Sequence, residues 1–121
     1  MHVLVVDDDP IVLKCCERVL GGEGYEATLA TGAAEALEKL EEACYEMLLV
    51  DIKMPERDGL YLIERVKERC PGVPILVMSG YPTSETVSRS SALGVGAFIA
   101  KPFTPDELMK AVHKVMEGEN R

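Results

Sequence analysis

Basic residues are scarce in this chain: 13 Lys and Arg stand against 21 Asp and Glu, for a net charge of −8. That balance argues against a nucleic-acid-binding surface, because phosphate contacts need clustered Lys and Arg. Long apolar runs are missing as well. No stretch approaches the roughly 20 residues of a membrane span, and the N-terminus lacks a signal-peptide pattern, so a cytoplasmic protein with no membrane partner is expected. The four cysteines, Cys15, Cys16, Cys44 and Cys70, show neither CxxC spacing nor a paired framework. They read as small core or surface thiols in a reducing compartment. There is no internal repeat, low-complexity segment or linker, and 121 residues make one domain, 1–121, large enough for a real core.

What is present centres on MLLVDIKMPERDG, Met47 to Gly59. Met47 to Val50 read as a strand buried on both faces. They run into Asp51 and then Met54-Pro55, where Pro55 has no N–H and cannot continue a ladder. A lone acid therefore stands at the carboxyl end of a strand, the edge of an open α/β sheet where ligands and chemistry are found.

The remaining segments repeat the alternation. His2 to Val6 is a second buried strand, followed by Asp7, Asp8 and Asp9. Asp9-Pro10 opens a helix with an N-cap acid and Pro at the first position. Its apolar face reads as Ile11, Val12, Cys15, Cys16, Val19 and Leu20. Tyr25 to Ala30 alternates as an edge strand does, and Thr31 is the expected cap of a helix burying Ala33, Ala36, Leu37, Leu40 and Cys44. After Asp51 a helix begins near Asp58 or Gly59, turns Leu62, Ile63 and Val66 inward, and ends at Pro71-Gly72. Val73 to Met78 is a buried strand with Ser79-Gly80 at its end. Six of the nine residues from Thr83 to Ser91 are Ser or Thr, which predicts a short, weakly held helix closed by Gly94. Gly96 to Ala100 is the last strand and delivers Lys101-Pro102. Thr104-Pro105-Asp106-Glu107 is a capping box for a final helix that buries Leu108, Val112, Val115 and Met116 and stops at Gly118. The pattern is (βα)₅, a doubly wound parallel sheet of flavodoxin-like type covered on both faces, with strand order 2-1-3-4-5 fitting best.

That order gathers Asp7 and Asp8, Asp51, Ser79 and Lys101 from four strands onto one edge. Taken singly, each has an ordinary structural explanation: acids and hydroxyls cap helices, as Asp9 does, and an isolated Lys is a solvated charge. Their convergence has none. Carboxylates crowded together repel one another unless a cation neutralises them. Oxygen-only ligands suit Mg²⁺ better than zinc, which would want thiols or imidazoles.

VLVVDDD, LLVDIKMP, MPERDG, ILVMSG and GAFIAKPF, in this order and spacing, resemble the receiver domain of bacterial two-component response regulators, over essentially the whole chain. The resemblance implies a phosphorelay switch: Asp51 as phosphoacceptor, Asp8 on Mg²⁺ directly, Asp7 largely through water, and the Lys53 backbone carbonyl as a further ligand. It implies that Ser79 and Lys101 contact the phosphoryl group, that Lys101-Pro102 is cis, and that Ser79 and Phe98 form the switch pair. Lys53 and Tyr81 flank the site where such proteins tune the lifetime of the mark. Ser79 stands where Thr is commoner, keeping the hydroxyl and losing a methyl. The implied partners are a sensor histidine kinase or His phosphotransfer protein, and a downstream protein or effector domain on the face of the fourth helix, fifth strand and fifth helix, with a homodimer on phosphorylation also in reach. The domain would act as a switch that catalyses only its own phosphorylation and dephosphorylation.

Two other readings compete. The opening also fits haloacid-dehalogenase-like phosphatases, with Asp7 as nucleophile and Asp9 as acid. However, Pro10 follows Asp9, no late acidic motif appears, no cap fits in 121 residues, and Asp51 is left idle. A dinucleotide or flavin binder would need GxGxxG after the first strand, where this chain has acids. The chain ends at its last helix, so no DNA-binding or enzymatic effector is expected within it.

Overall fold

The apolar runs form strands because each is short, rich in Val, Ile and Leu, and closed by a charge or a turn residue. A computed structural model describes residues 2–52, 59–80 and 84–119, the side chains of 85, 86, 118 and 119 excepted. Among the described residues, β1 (His2–Val6), β2 (Glu26–Ala30), β3 (Met47–Asp51), β4 (Ile75–Ser79) and β5 (Ala97–Ala100) alternate with five helices. These are α1 (Pro10–Gly22), α2 (Ala33–Glu42), α3 (Gly59–Arg69), α4 (Ser84–Ala92) and α5 (Pro105–Glu119). All neighbouring strands are parallel, in the order β2-β1-β3-β4-β5.

Side chains alternate across the pleat. Leu4, Val6, Leu48, Val50, Ile75 and Val77 pack with Ala33 and Ala36 of α2 and Leu62, Ile63 and Val66 of α3. Val3, Val5, Met47, Leu49, Leu76 and Met78 pack with Leu13, Cys16 and Leu20 of α1 and Leu108, Val112 and Val115 of α5. Helices on both faces are why these strands are apolar throughout rather than alternating.

Local hydrogen bonds fix the helix starts. The Asp9 carboxylate accepts from the Ile11 N–H at 2.9 Å, with Pro10 opening α1. At α5 the capping box is reciprocal: the Glu107 N–H donates to Thr104 Oγ1 at 3.1 Å, and the Thr104 N–H donates to Glu107 Oε1 at 2.8 Å. Helix α4 is the loosely held one. None of its described side chains joins either core cluster, Ser90 is buried, Val87 is exposed, and Gly94 closes it at φ +80°.

Several sequence expectations are corrected in detail. In α1, Ile11 is 72% exposed and Cys15 is exposed, while Leu13 is buried. The inward stripe is Leu13, Cys16 and Leu20, a spacing of three and four, with Val12 and Val19 at its margin. Thr31 does not cap α2. The N-cap is Gly32, without a side-chain cap bond, and the Thr31 N–H instead donates to Glu35 Oε1 at 2.8 Å. Helix α2 ends at Glu42, which leaves Cys44 exposed and outside it, and Tyr45 takes the buried place. Strands β2, β4 and β5 begin one or two residues later than their apolar runs, and α5 continues past Gly118 to Glu119. The proposed Met54-Pro55 exit, the Asp58 start, Lys53, Tyr81 and Thr83 lie outside the described residues.

Gly59 holds the turn beneath Asp51. Its N–H donates to the Ile52 carbonyl at 2.7 Å. A Cβ at Gly59 would lie 2.3 Å from the Asp51 carbonyl oxygen and 2.8 Å from the Ile52 Cα. Both are backbone atoms that cannot rotate away, so only glycine allows α3 to begin this close to the end of β3. Gly59→Ala should therefore destabilise the domain by about 1–3 kcal/mol, the usual range for overpacking. Urea unfolding should show a lower midpoint with an unchanged slope; an unchanged midpoint would mean the turn absorbs the methyl.

Candidate functional site

Parallel strands end at a common edge, and there the chain places four of the sequence-predicted groups. Asp7 follows β1, Asp51 and Ser79 are the last residues of β3 and β4, and Lys101 follows β5. Backbone hydrogen bonds lace these ends together. The Asp7 N–H donates to the Ala30 carbonyl at 3.1 Å, the Ile52 N–H to Met78 at 3.1 Å, and the Lys101 N–H to Ser79 at 2.8 Å. The Lys101-Pro102 bond is cis, as expected.

Lys101 joins the two buried acids. Its Nζ donates to Asp7 Oδ2 at 2.6 Å and to Asp51 Oδ2 at 3.1 Å. The other oxygen of Asp7, Oδ1, accepts from the Asp9 N–H at 2.9 Å. Asp7 is fully buried, Asp51 is 5% exposed and Ser79 is 1% exposed. Burying a carboxylate is costly unless it is paired and hydrogen-bonded, which is what this arrangement supplies. Burial by itself would lower the pKa of Lys101, and it is the largest single influence. The hydrogen bond and charge of Asp7 and the charge of Asp51 together outweigh it, and the net direction is upward from 10.5. The ammonium therefore stabilises the fold fully below its ordinary titration range, and that contribution is lost only as the pH rises through the raised value. At neutral pH the Lys101 ammonium is charged.

Two negative charges held by one positive charge leave a surplus, and Asp8, exposed next to them, adds a third acid. Asp7, Asp8 and Asp51 each offer a carboxylate oxygen, and these oxygens all lie within 4.8 Å of one another. A donor set made only of carboxylate oxygens, with charge left over, fits a hard divalent cation and not a thiophilic one. Asp9 is used differently: its carboxylate caps α1, which removes the acid that a phosphatase reading would require. Phe98 is half-buried on β5, opposite Val77 of β4 and on the α2–α3 side of the sheet. Beside Lys101 a cleft of about 530 Å³ opens between Ile11, Val12 and Cys15 of α1 and Pro102-Phe103.

The parts that three further residues play at the site escape a reading of the sequence. Gly59 fixes the backbone under Asp51, and the Asp-Gly pair at a strand-to-helix turn was its only signal. Ala30 anchors the Asp7 backbone through a carbonyl, which no side-chain pattern can reveal. Cys16 lies in the α1–α5 core beside Asp7; burial first, then the Asp7 charge, pushes its thiol up to about 12, so it stays neutral and contributes packing rather than charge.

Comparisons with known proteins agree with this geometry. The profile of the response regulator receiver domain matches residues 3–113. The transcriptional regulatory protein ZraR of Escherichia coli is 32% identical over 116 residues, covering 96% of this chain and 26% of that protein. The DNA-binding transcriptional regulator NtrC of the same species is 34% identical over 114 residues, covering 94% and 24%. The chain thus spans about a quarter of the length of these curated relatives. Among solved structures, a CheY-like response regulator receiver domain protein from Methanospirillum hungatei superimposes with a TM-score of 0.93 at 32% identity, covering 98% of this chain and 95% of that one. The chemotaxis protein CheY4 of Vibrio cholerae gives 0.90 at 28% identity, covering 94% and 97%. With the edge of acids, hydroxyl and lysine in place, the chain belongs to the response regulator receiver domain family.

Proposed function

We propose that this chain, as one receiver unit over residues 1–121, accepts a phosphoryl group on Asp51 and passes the signal through Ser79 and Phe98. The observation that carries the reading is the buried Asp51 carboxylate, which shares the Lys101 ammonium with Asp7 inside a cluster of acid oxygens. As a receiver domain it works as a signalling switch rather than a conventional enzyme, and the chemistry it performs is on itself.

The donor is a phosphorylated histidine on a sensor kinase or a His phosphotransfer protein. An ionised oxygen of Asp51 attacks phosphorus; the O–P bond forms, the P–N bond breaks, and the imidazole nitrogen keeps the bonding pair and takes up a proton. Phosphoryl transfer asks the protein mainly for position and charge neutralisation. Lys101 already stands at an Asp51 oxygen and can move to a phosphoryl oxygen, while Ser79, from the end of β4, offers it a hydroxyl. Mg²⁺, held by Asp7, Asp8, Asp51 and the Lys53 carbonyl, would supply the remaining positive charge. The cleft beside Lys101, with Ile11 exposed at its rim, gives the donor protein an apolar contact next to the site. The domain is read as cytoplasmic, which agrees with the absence, among the described residues, of a helix long and apolar enough to cross a membrane.

Output is assigned to the α4-β5-α5 face, where an effector domain, a downstream protein or a second copy would dock. Support comes from the loose packing of α4, which makes local rearrangement cheap. A full 1:99 to 99:1 reversal needs about 5.5 kcal/mol of differential interaction, and one hydrogen bond to a charged group supplies roughly 1.5–3 kcal/mol of it.

Three outcomes are expected. Incubation with acetyl phosphate or phosphoramidate should add one phosphoryl group by intact mass, only with Mg²⁺ present and not in Asp51→Asn. Continued labelling of Asp51→Asn would place the acceptor elsewhere. Because the ion binds the folded state, millimolar Mg²⁺ should raise the melting temperature relative to EDTA, and less so in Asp8→Asn; no shift would count against the acid cluster as a metal site. Ser79→Ala should still take up phosphate yet show smaller changes in hydrogen exchange from Ser84 to Lys101. An exchange pattern identical to that of the phosphorylated wild type would remove Ser79 from the coupling.

A further inference from the structure

The acid cluster occupies the carboxyl edge of the sheet; at the amino edge, two cysteines and a methionine line one surface pocket. It has a volume of about 410 Å³ and is walled by Cys44, Cys70 and Met116 together with Tyr45, Glu46 and Pro74. Its walls come from three parts of the fold. Cys44 stands just before β3, Cys70 just after α3 on the approach to β4, and Met116 in α5. The Leu48 N–H of β3 donates to the Pro74 carbonyl at 3.0 Å, which sets the approach to β4 beside β3, and within that approach the Val73 N–H donates to the Cys70 carbonyl at 3.1 Å, folding Cys70 toward the start of β4. Cysteine is among the residue types most often fully buried, yet Cys44 is exposed and Cys70 half-buried. Neither belongs to a core cluster, so packing does not account for them.

We propose that this pocket binds one soft monovalent cation of the copper(I) type, ligated by the thiolates of Cys44 and Cys70 and the thioether of Met116. Thiolate and thioether sulfur select such ions, whereas carboxylates and water select hard ones. A zinc site would draw on imidazole or additional thiolates rather than a thioether. On binding, two S–H bonds break, three copper–sulfur bonds form (two to thiolates, one to the thioether) and two protons pass to solvent; the oxidation state is unchanged and no co-reactant is consumed. The inference is independent of phosphoryl transfer, because no residue of the acid edge takes part.

The test is an anaerobic titration of the whole chain with copper(I) against a coloured copper(I) chelator. Wild type should withdraw one equivalent. Cys44→Ser and Cys70→Ser should each bind at least ~10–100-fold more weakly, since even an outer-shell partner of a metal is worth that much, and Met116→Leu should also weaken binding. Cys15→Ser, which alters the exposed thiol of α1, should bind as wild type. In parallel, bound copper(I) should protect Cys44 and Cys70 of the wild-type chain from iodoacetamide and leave Cys15 reactive, a readout that requires no variant to fold. Failure of the wild type to compete, equal loss in Cys15→Ser, unprotected Cys44 and Cys70, or a Cys44–Cys70 disulfide forming in place of the metal adduct would each overturn the proposal.

Discussion

One ammonium between two buried carboxylates governs the functional edge of this protein. Lys101 Nζ reaches Asp7 at 2.6 Å and Asp51 at 3.1 Å, and it is 20% exposed while the acids are almost wholly covered. Neither acid could be buried at acceptable cost alone, and the lysine is kept charged by the pair it serves. The arrangement is satisfied but not neutral. It holds the site together while leaving negative charge that a cation or a change of partner can relieve, and that imbalance is what makes the edge chemically useful.

The three groups reach one another because of the strand order. With β1 next to β3 and β5 beyond β4, residues 7, 51 and 101 arrive at the same edge although long stretches of chain separate them. The fold maintains this edge from below: core side chains on both faces of the sheet hold the central strands, and the contact of Gly59 with the Asp51 carbonyl fixes where β3 stops. Rigidity is unequally distributed. α1, α2, α3 and α5 each bury apolar residues against the sheet, whereas α4 is held with little apolar contact among its described residues. A switch needs a part that can change arrangement cheaply, and this is where the packing provides one.

The two ends of the sheet are also chemically sorted. Oxygen donors and positive charge gather at the carboxyl edge, and Cys44, Cys70 and Met116 line a pocket at the amino edge. Oxygen-bearing and sulfur-bearing side chains are therefore kept apart by the full length of the strands.

Much of this was legible in the sequence because it rests on local rules. Short continuous apolar runs ending in a polar or charged residue mark parallel strands buried on both faces. Asp9-Pro10 and Thr104-Pro105-Asp106-Glu107 announce helix starts through bonds spanning two or three residues. The Ser- and Thr-rich segment predicts a poorly anchored helix, and the acid, hydroxyl and lysine after successive strands converge once the order 2-1-3-4-5 is adopted. What the tertiary structure decided depends on atoms far apart in the chain. Leu13 rather than Ile11 turns inward because the sheet and α5 set the buried side of α1. Gly32 rather than Thr31 caps α2 because the extended chain leaving β2 carries the Thr31 N–H to Glu35. Lys101 bridges Asp7 and Asp51, Gly59 presses on the end of β3, and Cys44, Cys70 and Met116 share a pocket, all through contacts between separate elements. Periodicity and capping act over a few residues, whereas these contacts exist only after distant segments have packed.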